Sequence, residues 1–262
     1  MKKRINKILS YTLFTSLVFL GYQVLLISQT EEDYKVLSQA NKAYVEGNFQ
    51  TAVEKYETLI NSGLSSADLY YNLGNSYYRV GNYKAAILNY ERAKLLKPND
   101  ENILTNLEFS ERYVQDKIED VPKFFLVRWI DAFTNMFSEK TWAIISILTF
   151  ISFLLLIILF LFSKTLIIRK ISFYFGVITI FLSLVSFYSS YRQNTKLTNH
   201  NTAIVFSPAV TVKSSPLENG TDLFIIHEGL KVIITDSSDG WKEIKLSDGK
   251  VGWLPAETIV VI

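Results

Sequence analysis

The alternation of apolar and polar positions divides the chain into stretches of three kinds. Apolar runs long enough to cross a membrane as helices lie at residues 8–27, 142–162 and 171–188. Between the first two runs, small and aromatic residues recur with helical spacing, which predicts paired helices. After the third run the pattern changes to short β-rich segments, which predicts a β domain. The expected fold class is therefore a multi-domain membrane protein with a helical domain, a transmembrane helical hairpin and a C-terminal all-β domain.

The most informative helical stretch is Leu73–Pro98, LGNSYYRVGNYKAAILNYERAKLLKP. Its small residues Gly74 and Ala86 fall where two antiparallel helices must touch. Gly81 supplies the turn between the helices, and Pro98 ends the second one. The stretch therefore predicts one tightly packed helix pair.

A weaker copy of this pattern lies upstream, where Ala40 takes the place of Gly74 and Tyr56 takes the place of Tyr90. The spacing between the copies is that of the tetratricopeptide repeat, a helix-pair module of about 34 residues that binds other proteins. Residues 31–120 are thus expected to hold two repeats, closed by a polar capping helix over residues 101–118.

A partner is expected to bind the concave face, which the first helix of each repeat lines. Amide side chains there can donate to and accept from a peptide backbone, and tyrosines add apolar area. The predicted contact residues are Asn41, Tyr44, Tyr71, Asn75, Tyr78 and Arg79. The alternative for the asparagines and tyrosines is packing against neighbouring helices. Leu37 and Asn102 stand where a carboxylate clamp needs lysines, so capture of a C-terminal carboxylate is not expected.

The apolar runs predict how the chain enters the membrane. The first follows four basic residues, and residues 1–30 form either an N-terminal transmembrane anchor or a cleaved signal peptide. The second and third runs are separated only by SKTLIIRK, so residues 141–191 are expected to form a helical hairpin. Residues 121–140 carry aromatic residues at every fourth position. This pattern favours an amphipathic helix in the membrane interface, and the alternative is a helix packed on the repeat domain.

Charge predicts the orientation of these segments. The basic residues before the first run and inside the hairpin loop indicate cytoplasmic flanks, which places both soluble domains on the outer side. Residues 31–120 carry 10 Lys+Arg against 15 Asp+Glu, and residues 199–262 carry 5 against 8. Because acidic surfaces repel a phosphate backbone, nucleic acid is not an expected partner.

Residues 199–262 hold five predicted strands, at residues 210–213, 224–227, 230–234, 241–246 and 251–254. The order His227-Glu-Gly, Trp241, Asp248-Gly and Gly252-Trp resembles the bacterial SH3-like domain, which implies a small all-β barrel. The acidic and aromatic segment that helps to build the peptide groove of eukaryotic SH3 domains is not recognisable. Binding of proline-rich peptides is therefore not expected.

The residue types needed for catalysis are scarce. The chain has no cysteine and only two histidines, His200 and His227, which excludes a cysteine nucleophile and metal clusters built on cysteine or paired histidines. His227 lies at a predicted strand end and His200 in a linker, and no glycine-rich phosphate loop is present. We expect no enzymatic activity, no cofactor and no metal.

The order of these domains resembles the BatE family, Bacteroides aerotolerance family protein E. The runs NLGNSYYRVGNYKAAILNYERAKLLKPND at 72–100 and DKIEDVPKFF at 116–125 also look like that family. The resemblance implies a non-enzymatic inner-membrane component, with its repeat and SH3-like domains in the periplasm. It also implies a system with von Willebrand A-domain membrane proteins and a MoxR-type ATPase, and a role in oxygen or stress tolerance.

Two functions are expected on these grounds. The first is a scaffold or adaptor that holds partner proteins, foremost von Willebrand A-domain components, through its repeats. The alternative is an envelope-binding or sensing module whose SH3-like domain contacts peptidoglycan.

Overall fold

A computed structural model describes residues 31–118, 124–199 and 201–262. The predicted N-terminal span and His200 lie outside these ranges. The described residues belong to two compact units, one that ends at Ser65 and one that runs from Ser66 to Ile262.

The described part of the first unit is a helix pair joined by a tight turn. Helix α1 is described over residues 31–45, and α2 covers Phe49–Asn61. Gly47 makes the turn with a φ of 82°, a left-handed conformation that glycine adopts without steric cost. The next backbone N–H, of Asn48, donates to the carbonyl of Ala43 at 2.8 Å, which closes the end of α1. The buried residues are Ala40, Ala43, Ala52, Val53, Tyr56 and Leu59.

The second unit begins with three short helices: α3 (Ala67–Arg79), α4 (Tyr83–Leu96) and α5 (Glu101–Glu111). Each begins where the side chain of Ser66, Asn82 or Asp100 accepts a hydrogen bond from a first-turn backbone N–H. Gly81 turns the chain between α3 and α4 with a φ of 80°, and Asn82 donates its N–H to the carbonyl of Tyr77. The turn geometry of the first unit is thus repeated between α3 and α4.

Close contact between α3 and α4 depends on Gly74. A Cβ at this position would lie 2.7 Å from Cε1 of Tyr90, inside van der Waals contact. The Tyr90 ring is fully buried, and its hydroxyl donates to Asn75 Oδ1 at 2.7 Å, so the ring cannot easily move away. The glycine predicted from the repeat spacing is therefore a steric requirement.

Helices α7 (Glu139–Phe162) and α8 (Leu166–Thr198) form the predicted hairpin. Both are long and apolar enough to cross a membrane, with lengths of about 36 and 50 Å. Small buried residues on α8 allow close approach to α7. The Ser146 hydroxyl donates to the carbonyl of Ser183 at 3.2 Å, and the Ser183 hydroxyl donates back to the carbonyl of Ser146 at 3.1 Å.

Helix α6 (Phe125–Asn135) precedes the hairpin and bonds to the end of α8. Asp131 pairs with Arg192 at 3.0 Å, and Gln193 donates to the backbone carbonyl of Thr134 at 2.7 Å. The aromatic residues of α6 remain exposed.

The C-terminal part of the second unit is an antiparallel sheet. Its strands in the described residues are β1 (Thr202–Val205), β2 (Ala209–Lys213), β3 (Asp222–His227), β4 (Lys231–Ser238), β5 (Trp241–Lys245), β6 (Val251–Pro255) and β7 (Ile259–Val261). The spatial order is β3-β2-β6-β5-β4-β1-β7. Five strands lie where the sequence predicts them. The short β1 and β7 were missed because three or four residues show too little alternation to identify a strand.

The predicted closed barrel is wrong, because β3 and β7 end the strand order without pairing to each other. One face of the sheet instead shares a hydrophobic core with α4. The prediction of a capping helix to residue 118 is also wrong, since α5 ends at Glu111. The chain then crosses to the sheet, where Val114 is buried and Asp116 accepts from the backbone N–H of His227 at 2.6 Å.

Substituting Gly74 with valine should destabilise the second unit by about 2–3 kcal/mol, because the added carbons overlap the Tyr90 ring. The measurement is urea denaturation of the full chain in detergent. Thr105→Val, at an exposed position of α5, is the control and should change stability by less than about 0.5 kcal/mol. Identical denaturation of the Gly74 variant and the wild type would show that this contact does not limit helix packing.

Candidate protein-binding site

The face formed by α3 and α5 gathers amide and aromatic side chains. Asn75 lies on α3 and is half-buried, and its Oδ1 accepts a hydrogen bond from the Tyr90 hydroxyl at 2.7 Å. Asn106 on α5 donates through Nδ2 to the same oxygen at 2.8 Å and to the Tyr71 hydroxyl at 3.0 Å. Four side chains from three helices therefore hold one another in place.

This network leaves one donor and one acceptor unused. Within the described residues, neither Asn75 Nδ2 nor Asn106 Oδ1 has a hydrogen-bond partner, and neither is buried. The two amides are joined by a hydrogen bond, so the free donor and the free acceptor belong to neighbouring side chains. A peptide main chain offers a C=O and an N–H to such a pair. The arrangement can therefore bind an extended backbone without reading its side chains.

Three tyrosines form an aromatic cluster beside these amides. The rings of Tyr83 and Tyr113 stack in parallel with centroids 3.7 Å apart. Tyr78 meets both rings edge-on, at 5.5 Å from Tyr83 and 6.1 Å from Tyr113. Hydrogen bonding to Tyr113, followed by a smaller effect of burial, raises the pKa of Tyr78 and of Tyr83. The cluster offers apolar area with hydroxyl groups at its edge.

The α1–α2 helix pair, which the sequence predicts to be the first repeat, contains the same pair of contacting residues. Asn41 accepts from the buried Tyr56 hydroxyl at 2.7 Å, which matches the bond from Tyr90 to Asn75 in the second repeat. Tyr44 packs edge-on against Phe49 with centroids 5.3 Å apart. In each repeat the asparagine therefore fixes the second helix, in addition to any contact with a partner.

The structure brings together only part of the predicted site. Tyr71, Asn75 and Tyr78 share the α3–α5 face, and Arg79 lies exposed as the last residue of α3. The two residues predicted in the first repeat, Asn41 and Tyr44, belong to the other unit. How they align with the α3–α5 face stays a prediction.

Two residues of this face, Asn106 and Tyr113, were missed by sequence reasoning. Helix α5 was interpreted only as a cap: a shift by one repeat length aligns Leu107 with Leu73, but Glu108 takes the place of the small Gly74. The same shift aligns Asn106 with Asn72, which could have marked Asn106 as a candidate.

The remaining candidate for chemistry has a structural role. His227 Nδ1 lies 2.9 Å from Asp116 Oδ1, and both residues link the segment after α5 to the end of β3. Within the residues that the structure describes, no group of three or more histidine, aspartate or glutamate side chains could hold a metal ion.

Comparison with known protein families supports the repeat prediction for the second helix pair. Residues 67–100 match the family model of the tetratricopeptide repeat. The match covers α3, α4 and the turn after them, a small part of the 262 residues. No curated protein matches the chain. The second helix pair is thus a tetratricopeptide repeat, a class of module that typically binds proteins and does not catalyse reactions.

Titration of Tyr56 should make the first repeat sensitive to alkali. Burial, with a smaller effect of Tyr44, raises the pKa of Tyr56 from 10.0 to about 12. Because the folded state keeps this proton longer than the unfolded state, up to about 3 kcal/mol of stability is present below pH 10 and lost as pH rises towards 12.

Tyr56→Phe should flatten this pH dependence, and it should cost about 1 kcal/mol at neutral pH through the lost bond to Asn41. Phenolate absorbance together with denaturation at rising pH is the measurement. Tyr34→Phe, at an exposed ring, is the control. An unchanged slope in the Tyr56 variant would contradict the assignment.

Proposed function

We propose that this protein is a membrane-anchored, non-enzymatic adaptor that binds an extended segment of a partner protein on the α3–α5 face. The observation that carries the proposal is the adjacent free donor of Asn75 and free acceptor of Asn106. The tetratricopeptide repeat at residues 67–100 supports it, because such repeats present their concave face to partner chains.

Tyr78 and Tyr113 complete the binding surface. Tyr78 lies one turn along α3 from Asn75, and its contact with Tyr113 supplies area that can cover apolar side chains of the bound segment. Tyrosine loses little conformational entropy on binding, so such surfaces contribute strongly to affinity. The amides then bind the backbone, and the tyrosines select segments with apolar residues.

The membrane anchor is the α7–α8 hairpin. Its helices have the length and composition for spanning, and the most apolar window of α7 has none of its residues buried in the protein. An apolar helix surface exposed in this way is stable in hydrocarbon and unfavourable in water. Basic residues around the hairpin turn support a cytoplasmic position for it: Lys164 lies in the loop, and Arg169 and Lys170 lie at the start of α8. The repeats and the sheet then lie in the periplasm, at the inner membrane.

The resemblance to the BatE family supports a more specific proposal. The partners are von Willebrand A-domain membrane proteins of the same system, and the assembly serves tolerance of oxygen or other stress. The likeness of residues 199–262 to bacterial SH3-like domains supports an envelope role beside it.

That second role is contact with peptidoglycan. The edge strand β3 exposes Leu223 and Ile225, and Trp241 and Trp253 are half-exposed on β5 and β6. The sheet thus has an accessible apolar surface of its own.

Asn75→Asp should weaken partner binding about tenfold, because it removes the free donor while keeping the oxygen that Tyr90 and Asn106 require. A photo-crosslinking residue at Tyr113 in native membranes, followed by mass spectrometry, measures the yield of adducts with von Willebrand A-domain proteins.

Asn72→Asp is the matched control, since it adds the same charge to the same helix without touching the amide pair. Its yield should equal that of the wild type. An equal yield from Asn75→Asp and Asn72→Asp would exclude the amide pair as the binding site.

Sedimentation with purified peptidoglycan distinguishes the two functions. The full chain is used in detergent, because the sheet shares its core with α4 and a fragment would expose it. For the adaptor we expect the protein in the supernatant at physiological salt. A pellet that forms only with peptidoglycan would favour the envelope-binding function.

A further inference from the structure

Helix α6 has faces of opposite character. Its apolar side chains include Trp129, which is 71% exposed, together with Leu126 and Phe133. About half a turn away, Asp131 pairs with Arg192 at 3.0 Å and with Lys196 at 3.5 Å. The polar contacts fix α6 to the end of α8, and the apolar side chains are left without cover.

A groove of about 570 Å³ runs between α6 and α8. Its walls are almost entirely apolar and include Leu126, Trp129 and Phe133 from α6 and Leu184, Val185 and Tyr188 from α8. Water in such a groove would find almost no hydrogen-bonding groups, so the groove favours an apolar occupant.

The position of the groove identifies that occupant. The wall residues of α8 belong to its apolar spanning stretch, so the groove continues into the lipid-facing surface of the hairpin. The Ser190 hydroxyl donates to the carbonyl of Glu139 at 3.3 Å, which sets the start of α7 level with the end of the groove. Lys140 is exposed there and forms no ion pair within the described residues, so it can meet a lipid phosphate.

We propose that the groove between α6 and α8 binds lipid acyl chains, so that α6 lies in the outer boundary of the bilayer. The inference rests on the proposed membrane hairpin. Trp142 of α7 and Gln193 of α8 hold α6 beside the hairpin by donating to the carbonyl of Thr134 at 2.9 and 2.7 Å. Asn99 donates to the carbonyl of Asn135 at 2.8 Å and ties the α4–α5 turn to the end of α6. Lipid held in the groove therefore fixes the binding face close to the membrane surface.

Because the chain contains no cysteine, single cysteines carrying nitroxide labels can test this without other changes. The full chain is reconstituted in phosphatidylcholine and phosphatidylglycerol vesicles. Labels at Trp129→Cys and Leu126→Cys report the groove, and a label at Arg128→Cys reports the opposite face of α6, where Arg128 lines a charged cleft. Collision with dissolved oxygen measures contact with lipid, and collision with a water-soluble nickel chelate measures contact with water.

We expect the ratio of oxygen to nickel collisions to be several-fold higher at residues 126 and 129 than at residue 128. Equal ratios at the three sites would show that water fills the groove. Protection of residues 126 and 129 from both reagents would show that protein covers it, from a second copy or a partner. Either result overturns the proposal.

A label at Leu155→Cys, in the middle of α7, separates this inference from the function on which it rests. If residue 155 collides with oxygen and residues 126 and 129 do not, the hairpin spans the bilayer and only the lipid groove is wrong. If residue 155 collides with the nickel chelate, the proposed membrane anchor itself is wrong.

Discussion

Helix α4 is buried on two opposite sides, and the packing of the second unit depends on both contacts. One side meets Gly74 through the Tyr90 ring, and the other meets the sheet. Across the sheet contact, the Glu91 carboxylate is 4% exposed and pairs with Lys231 at 2.7 Å. Glu91 also pairs with Lys94 of the same helix at 3.8 Å, so its buried carboxylate is compensated both within α4 and across the contact with the sheet. The repeat and the sheet are therefore held together as one unit.

The same packing orders the proposed binding face. The buried Tyr90 hydroxyl and the Asn106 amide both donate to the oxygen of Asn75, which leaves the Asn75 nitrogen available. A side chain already held in one rotamer loses little entropy when a partner binds. Asn75 thus fixes the helices through its amide oxygen, and the proposed function uses the other atom of the same amide, its nitrogen.

Helix α6 is also held in place by polar contacts. Polar contacts from Asp131 and from the Thr134 carbonyl hold α6 against α8, while the apolar residues of α6 make few contacts inside the protein. In water this exposure would be unfavourable. Beside the proposed membrane hairpin, the apolar side of α6 continues the apolar surface of α8, as the proposed lipid groove requires.

The sequence by itself determined the helix pairs, the apolar spans and five of the strands, because each follows from spacing within a short window of residues. Only the tertiary structure decided the partners of Asn75, the end of α5 and the open sheet. These depend on contacts between distant residues, such as Asp116 and His227, which are 111 positions apart. Periodicity predicts which face of an element is buried, and it carries no information on which distant residue covers that face.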